Sequence, residues 1–133
     1  MDLLSLYKYI TTRKSGPGVP SLHMGAETFR FQPEVIDRVV EAGQSGNYVL
    51  GEKDEAGEFY PKFIGRSDTD LNTELKSKFG LLSYTFFKSS VSSPRAAYDL
   101  ECAQFHSFKS QLDNKAHPTS PAGSNLTCFL CGL

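Results

Sequence analysis

The sequence has almost no excess charge and no long apolar run. Fourteen Lys and Arg stand against fifteen Asp and Glu, a formal net charge of −1 over 133 residues. A protein that grips duplex nucleic acid by charge alone is ordinarily basic, so any such contact must come from a local patch. No apolar stretch approaches the roughly 20 residues that span a bilayer, and no membrane partner is expected. The opening residues, Met1 to Ile10, are broken by Lys8 and lack a basic leader and a small-residue cleavage site, which reads as no secretory signal. Without secretion, the glycosylation pattern Asn125-Leu126-Thr127 carries no meaning. Cysteine is scarce, at three residues, which argues against a disulfide framework. An intracellular, reducing setting (cytoplasmic or nuclear) is the expectation. Internal repeats and low-complexity tracts are missing as well.

What is present is ordinary globular material. Hydrophobic residues make up 39%, with ten Phe and six Tyr to fill a core, which suits one domain. Residues 1–32 read as an irregular lead-in, in which Leu3 to Ile10 can form a short element and 14–20, with two Pro and two Gly, reads as a loop. The domain proper reads as 33–133. Pro33 and Gly43 bracket a helix over about 33–42 with Val35, Ile36, Val39 and Val40 inward. Asn47 to Leu50 and Phe59 to Ile64 read as a hairpin about the polar turn 52–58, with Pro61 demanding an edge or a bulge. Leu71, Leu75 and Phe79 define a helix over 68–79, and 81–87 reads as a third strand. Ser92 or Ser93 with Pro94 starts a helix to about Phe108. A loop-like tail follows from Asp113. The fold class is α+β: a small three-stranded, mostly antiparallel sheet flanked by helices.

Gly46-Asn47-Tyr48, followed by Phe63-Ile64-Gly65 and Arg66-Ser67, then the helix with DLNTEL, Glu101 on the next helix and Asn114 beyond it, resembles the GIY-YIG endonuclease superfamily over about residues 45–114. The resemblance implies divalent-metal-dependent cleavage of phosphodiester bonds in nucleic acid, with Mg or Mn as the cation. It implies Tyr48 as base or support for the attacking water, and Glu101 as the carboxylate that holds the metal. A hard cation takes oxygen ligands and neutralises charge developing on phosphorus. Gly46 and Gly65 would let the strand ends approach closely, and Asn114 matches the polar residue supporting the site.

Three positions depart from the family pattern. Phe63 stands where the second motif has tyrosine, Glu74 where the helix arginine should hold phosphate, and Lys78 where a His or Tyr is expected. Losing one preorganised charge partner costs about 10²–10³ in rate, and here the sign is inverted. Arg66 is the nearby residue that can substitute. Glu74 and Lys78 also form the favourable i, i+4 order of a solvated helix face. Arg66, Lys76, Lys78, Lys88 and Arg95 are the candidates for a basic patch. The class expected is therefore a nuclease-fold protein of weak or lost activity, the alternative being a non-catalytic, zinc-stabilised module that binds nucleic acid or protein.

A second constellation lies in the last 32 residues, which hold all three cysteines and two of the three histidines. Cys102 and His106 share a helix face at i, i+4, Cys128 and Cys131 form a CxxC pair, and His117 lies between. Tetrahedral zinc takes such thiolate and imidazole ligands. Cys102, His106, Cys128 and Cys131 are the first choice, with His117 substituting for any one of them. The ion would fix the tail to the helix. It would be separate from any cation at Glu101, which points about 100° around the helix axis from Cys102. His23 is given no role.

Overall fold

A computed structural model describes residues 21–133, so the readings made for 1–20 lie outside the described residues. Strand β1 is Phe29–Arg30, helix α1 Pro33–Val39, β2 Gly46–Lys53, β3 Phe59–Ser67, α2 Leu71–Lys78, β4 Phe86–Val91 and α3 Pro94–Phe108. The α+β class holds. The strand count does not: the sheet has four strands in the order β1-β4-β2-β3, every neighbouring pair antiparallel. The added strand is two residues long and lies within the segment read as lead-in. So short a strand leaves no alternating pattern to detect.

Period-two alternation along β2 builds two cores. Tyr48 and Leu50 point to the α1 and α2 side and join Ile36, Leu71, Leu75 and Phe87. Val49 points the other way and joins Ile64, Phe105, Phe108 and Leu112. The sheet is thus covered on both faces, which is why β2 is buried from Gly46 through Gly51. Strand β3 is the edge predicted by Pro61, and the ladder slips between Leu50 and Gly51 opposite it, so both remedies for a strand proline occur. Residues after α3 close that edge. Asp113 N–H donates to the Lys62 carbonyl at 2.6 Å, and the Asn114 amide makes a two-bond pair with Ile64, accepting from its N–H at 3.3 Å and donating to its carbonyl at 2.9 Å.

Two element boundaries differ from expectation for local reasons. Helix α2 begins at Leu71 because Asp70 is its N-cap, accepting from the Thr73 N–H at 3.4 Å, while Ser67 Oγ accepts from the N–H groups of Thr69 and Asp70 and turns the chain. Strand β4 is displaced toward the C-terminus of the aromatic run 81–87. Leu81 and Leu82 instead turn back on the Lys78 carbonyl, and Leu81 is 77% exposed. The serines of β4 lie opposite Asn47 and Tyr48, where packing, not strand propensity, sets the register.

Gly65 faces Tyr48 across the β2–β3 ladder, and a Cβ there would meet the Tyr48 ring carbon and hydroxyl at 2.4 Å. The missing side chain lets the phenol lie across β3 toward the sheet edge. Gly65→Ala is expected to lower unfolding free energy by about 1–3 kcal/mol through overpacking. Gly25→Ala, where the Cβ meets nothing within 4 Å, serves as the neutral control. Urea titration of the two variants checks this; equal midpoints would refute it.

Candidate functional site

The side chains carried by the family resemblance gather around the edge of β3, approached from both faces of the sheet. Tyr48 comes from the α2 side over Gly65, and its hydroxyl donates to Glu74 Oε2 at 2.9 Å. Lys78 Nζ stands 3.7 Å from the same oxygen. Arg66, opposite Asn47 in the ladder, points to the α3 side. Its Nη1 donates to Glu101 Oε1 at 2.7 Å and its Nε to Asp68 Oδ1 at 2.8 Å, with a further bond from Nη2 to Asp68 Oδ2 at 3.3 Å. The guanidinium also lies 5.0 Å from the centre of the Tyr98 ring. The Arg66 and Glu101 side chains are 8% and 11% exposed.

Electrostatics follow from that burial. Desolvation raises the Tyr48 phenol well above its ordinary value, and Glu74 and then Glu101 add to the rise. A phenol held so firmly protonated is a donor, not a base. Burial also raises the Glu101 carboxyl, against the opposing pull of Arg66. The phenyl ring of Phe63 stacks on Tyr48 at 6.4 Å between centres, filling with carbon the place where the resemblance expects a second hydroxyl. Asn114 is spent on the β3 backbone at Ile64, two residues from Arg66, and so braces the edge.

The expected basic patch is dismantled by internal pairing. Arg66 is taken by Asp68 and Glu101, Lys76 by Asp37 and Lys78 by Glu74. Lys88 donates to the carbonyls of Gly25 and Ala26 at 2.8 and 3.2 Å. Of the five candidates only Arg95 is fully exposed. Two members of the β3-edge group escaped sequence reading: Asp68, two residues beyond Arg66, and Tyr98, one helical turn before Glu101.

The second cluster forms where the tail folds back on α3. His106, His117, Cys128 and Cys131 bring one ligand atom each within 4.8 Å of one another, and together they can hold a metal ion. Among the described residues this is the group of three or more His, Cys, Asp and Glu that has such spacing. Cys128 Sγ is 3.6 Å from His106 Nε2, and Cys131 Sγ is 3.3 Å from His117 Nε2. Ligands of a tetrahedral ion with zinc–sulfur and zinc–nitrogen bond lengths lie about 3.3–3.8 Å apart, so both spacings fit. His117 Nδ1 lies 2.8 Å from the Pro118 carbonyl and must carry its proton there, leaving Nε2 free to ligate.

The thiols differ in state. Burial alone would raise Cys128, but the N–H groups of Leu130 and Cys131, with His117 and Cys102, bond to its sulfur and hold it below the ordinary thiol value. Burial lowers His106, keeping its ring neutral, and His117 adds to that effect. Deprotonated sulfur and neutral imidazole are the forms a metal needs. Cys102, in the first-choice set from sequence, is a free thiol buried beside Cys128 and hydrogen-bonded to it; burial, reinforced by Cys128, drives its thiol up. His117 stands where Cys102 was expected.

No family model, no curated protein and no solved structure matches this chain.

The raised Tyr48 phenol has a pH consequence. Its bound proton favours the fold fully below the unfolded tyrosine value of about 10, and that share of stability is lost as pH climbs beyond it. Carbon NMR of Cζ-labelled tyrosine should find Tyr48 still protonated at about pH 11, and Glu74→Gln should bring its titration down toward the ordinary value. A Tyr48 midpoint near 10 in the native protein would contradict the burial described above.

Proposed function

We propose that this chain is a GIY-YIG-like nuclease-fold protein, a divalent-metal-dependent phosphodiesterase by ancestry, whose hydrolysis of nucleic acid is strongly weakened or lost. The observation that carries the reading is the Tyr48–Glu74 hydrogen bond. It joins the motif tyrosine to a carboxylate at the position from which the resemblance expects an arginine to hold phosphate. An approaching phosphate would meet negative charge there, and the phenol that should assist water is already donating. A Mg or Mn ion, when bound, would neutralise charge on the scissile phosphate, and Glu101 is the residue to hold it. One or two carboxylates with substrate oxygens suffice for such a cation. Yet Glu101 Oε1 is engaged by Arg66, and Arg66 in turn is neutralised by two carboxylates. Arg66, Asp68, Glu101, Glu74 and Lys78 each have an internal counter-charge, an arrangement suited to persistence of the fold and poorly suited to phosphate transfer.

The alternative is a non-catalytic, zinc-stabilised binding module. Ion pairing of three of the five candidate basic residues, with Lys88 held on backbone carbonyls, supports a protein partner over a nucleic acid for such a module. In both readings the ion at His106, His117, Cys128 and Cys131 is zinc with a structural role. Two sulfurs and two imidazoles whose ligand atoms lie within 4.8 Å of one another match its preferred donors, and four protein ligands leave no open position for substrate.

The deciding assay offers single-stranded, duplex and branched DNA, and RNA, with magnesium or manganese. The native chain should cleave at or near background, and any residual nicking should vanish in Glu101→Ala. Glu74→Arg should raise cleavage, within the roughly 10²–10³ that one charge partner supplies. Robust metal-dependent cleavage by the native chain that disappears in Glu101→Ala would overturn the loss of activity.

Zinc is tested separately. Elemental analysis of protein purified without added metal should find about one equivalent per chain, as four ligands closing one tetrahedron require. His117→Ala and Cys131→Ser should lose it, and Cys102→Ala should keep it. Zinc below about a tenth of an equivalent in folded protein, with reactive thiols, would refute the assignment.

A further inference from the structure

We infer that Tyr98 is a positioning residue that ties the metal-held tail to Arg66, so that metal occupancy governs whether the Arg66–Glu101 pair stays shielded. The inference rests on the zinc reading and is independent of the nuclease reading. Tyr98 stands on α3 one turn before both Glu101 and Cys102, so it shares their side of the helix. It is 1% exposed and belongs to the same buried cluster as Cys102 and Cys128. One side chain therefore touches both groups of charged and ligating residues. Its ring lies 5.0 Å from the Arg66 guanidinium, and its hydroxyl donates to the Leu133 main-chain oxygen at 3.3 Å. That oxygen is fixed by the CxxC turn, since it also accepts from the Cys128 N–H at 2.7 Å, and Gly132 N–H returns to the Cys128 carbonyl at 2.8 Å.

The tail beyond α3 contains no helix or strand, so no helical or sheet ladder of backbone hydrogen bonds fixes its path. Leu126, Phe129 and Leu130 are only partly buried against the Tyr98 cluster. An ion shared by Cys128 and Cys131 with His106 on α3 and His117 in the tail would be the strongest tie available to it. With the ion gone, this segment sits at the low-stability end of the molecule and opens locally. Water then reaches Tyr98, the ring loses its fixed seat, and the guanidinium above it is hydrated. An ion pair that was dry becomes a wet one, with its attraction reduced accordingly.

Arginine-selective modification by phenylglyoxal, read peptide by peptide in a mass spectrometer, tests the link. In zinc-loaded native protein Arg66 should be protected, while exposed Arg30 and Arg95 react. Stripping the metal with a chelator, or Cys131→Ser, should accelerate Arg66 modification by about tenfold or more as local opening exposes it, with Arg30 and Arg95 unchanged. Amide protection of Val49 and Leu50 reports whether the sheet stays intact; where it does not, variants at position 98 decide. Zinc-loaded Tyr98→Leu should show the same acceleration at unchanged zinc content, and Tyr98→Phe, which keeps the ring, should restore protection. Bound zinc with Arg66 equally protected before and after stripping, or in Tyr98→Leu, overturns this inference alone. A metal-free protein in which Arg66 is already protected overturns it together with the zinc reading.

Discussion

A guanidinium taken out of water has to be neutralised where it stands, and the arrangement around Arg66 answers that requirement. Its side chain is 8% exposed, at the far end of an edge strand. The cost of burying it is offset by two carboxylates and an aromatic face, contributed by the β3–α2 turn and by α3. Removing one partner from such a pair typically costs about 3–5 kcal/mol, because the other charge is left stranded. The turn after β3, the seating of α3 and the position of Glu101 are thus constrained together. A charge that would be freely disposable on the surface is here a condition of how the helix meets the sheet.

The same constraint changes what the site can do. Charged groups that serve a reaction need an unpaired valence directed at the substrate, whereas those at the β3 edge spend theirs on each other. Tyr48 illustrates the distinction. The strand and the bare Gly65 lead its hydroxyl across β3, where it donates to Glu74. A phenol led across the strand and electrostatics that hold its proton in place coexist in one residue. The distinction between fold and chemistry is therefore visible inside a single hydrogen bond.

Much of the architecture was legible because it is encoded in short-range pattern. Helix-capping Ser93 with Pro94, the hairpin about its polar turn and the edge position of Pro61 all follow from local rules. The two-residue strand Phe29–Arg30 was not legible, since its identity comes wholly from pairing with Phe86 and Phe87. Likewise the serines of β4 are a strand only because β2 lies beside them. At the candidate sites, residue type announced the candidate ligands but not their partition. Cys102 and His106 share a helix face in sequence, yet one sulfur turns into the core behind Cys128 and His117 supplies the fourth donor. Choosing between them requires the path of a tail with no regular structure, which periodicity cannot supply. Tyr98 gave no signal beyond its spacing from Glu101.

The amide of Asn114 reproduces, with a side chain, the paired donor and acceptor that a neighbouring strand would offer to Ile64. Its effect reaches beyond the domain's own stability. An unprotected sheet margin is an invitation to β-augmentation, whether by a peptide ligand or by another copy of the chain. Here that docking register is already taken at Ile64, with Lys62 likewise engaged by Asp113. A partner that approaches this side must recognise side chains and loop surface, because the backbone has no free hydrogen-bonding frame to lend at those two residues.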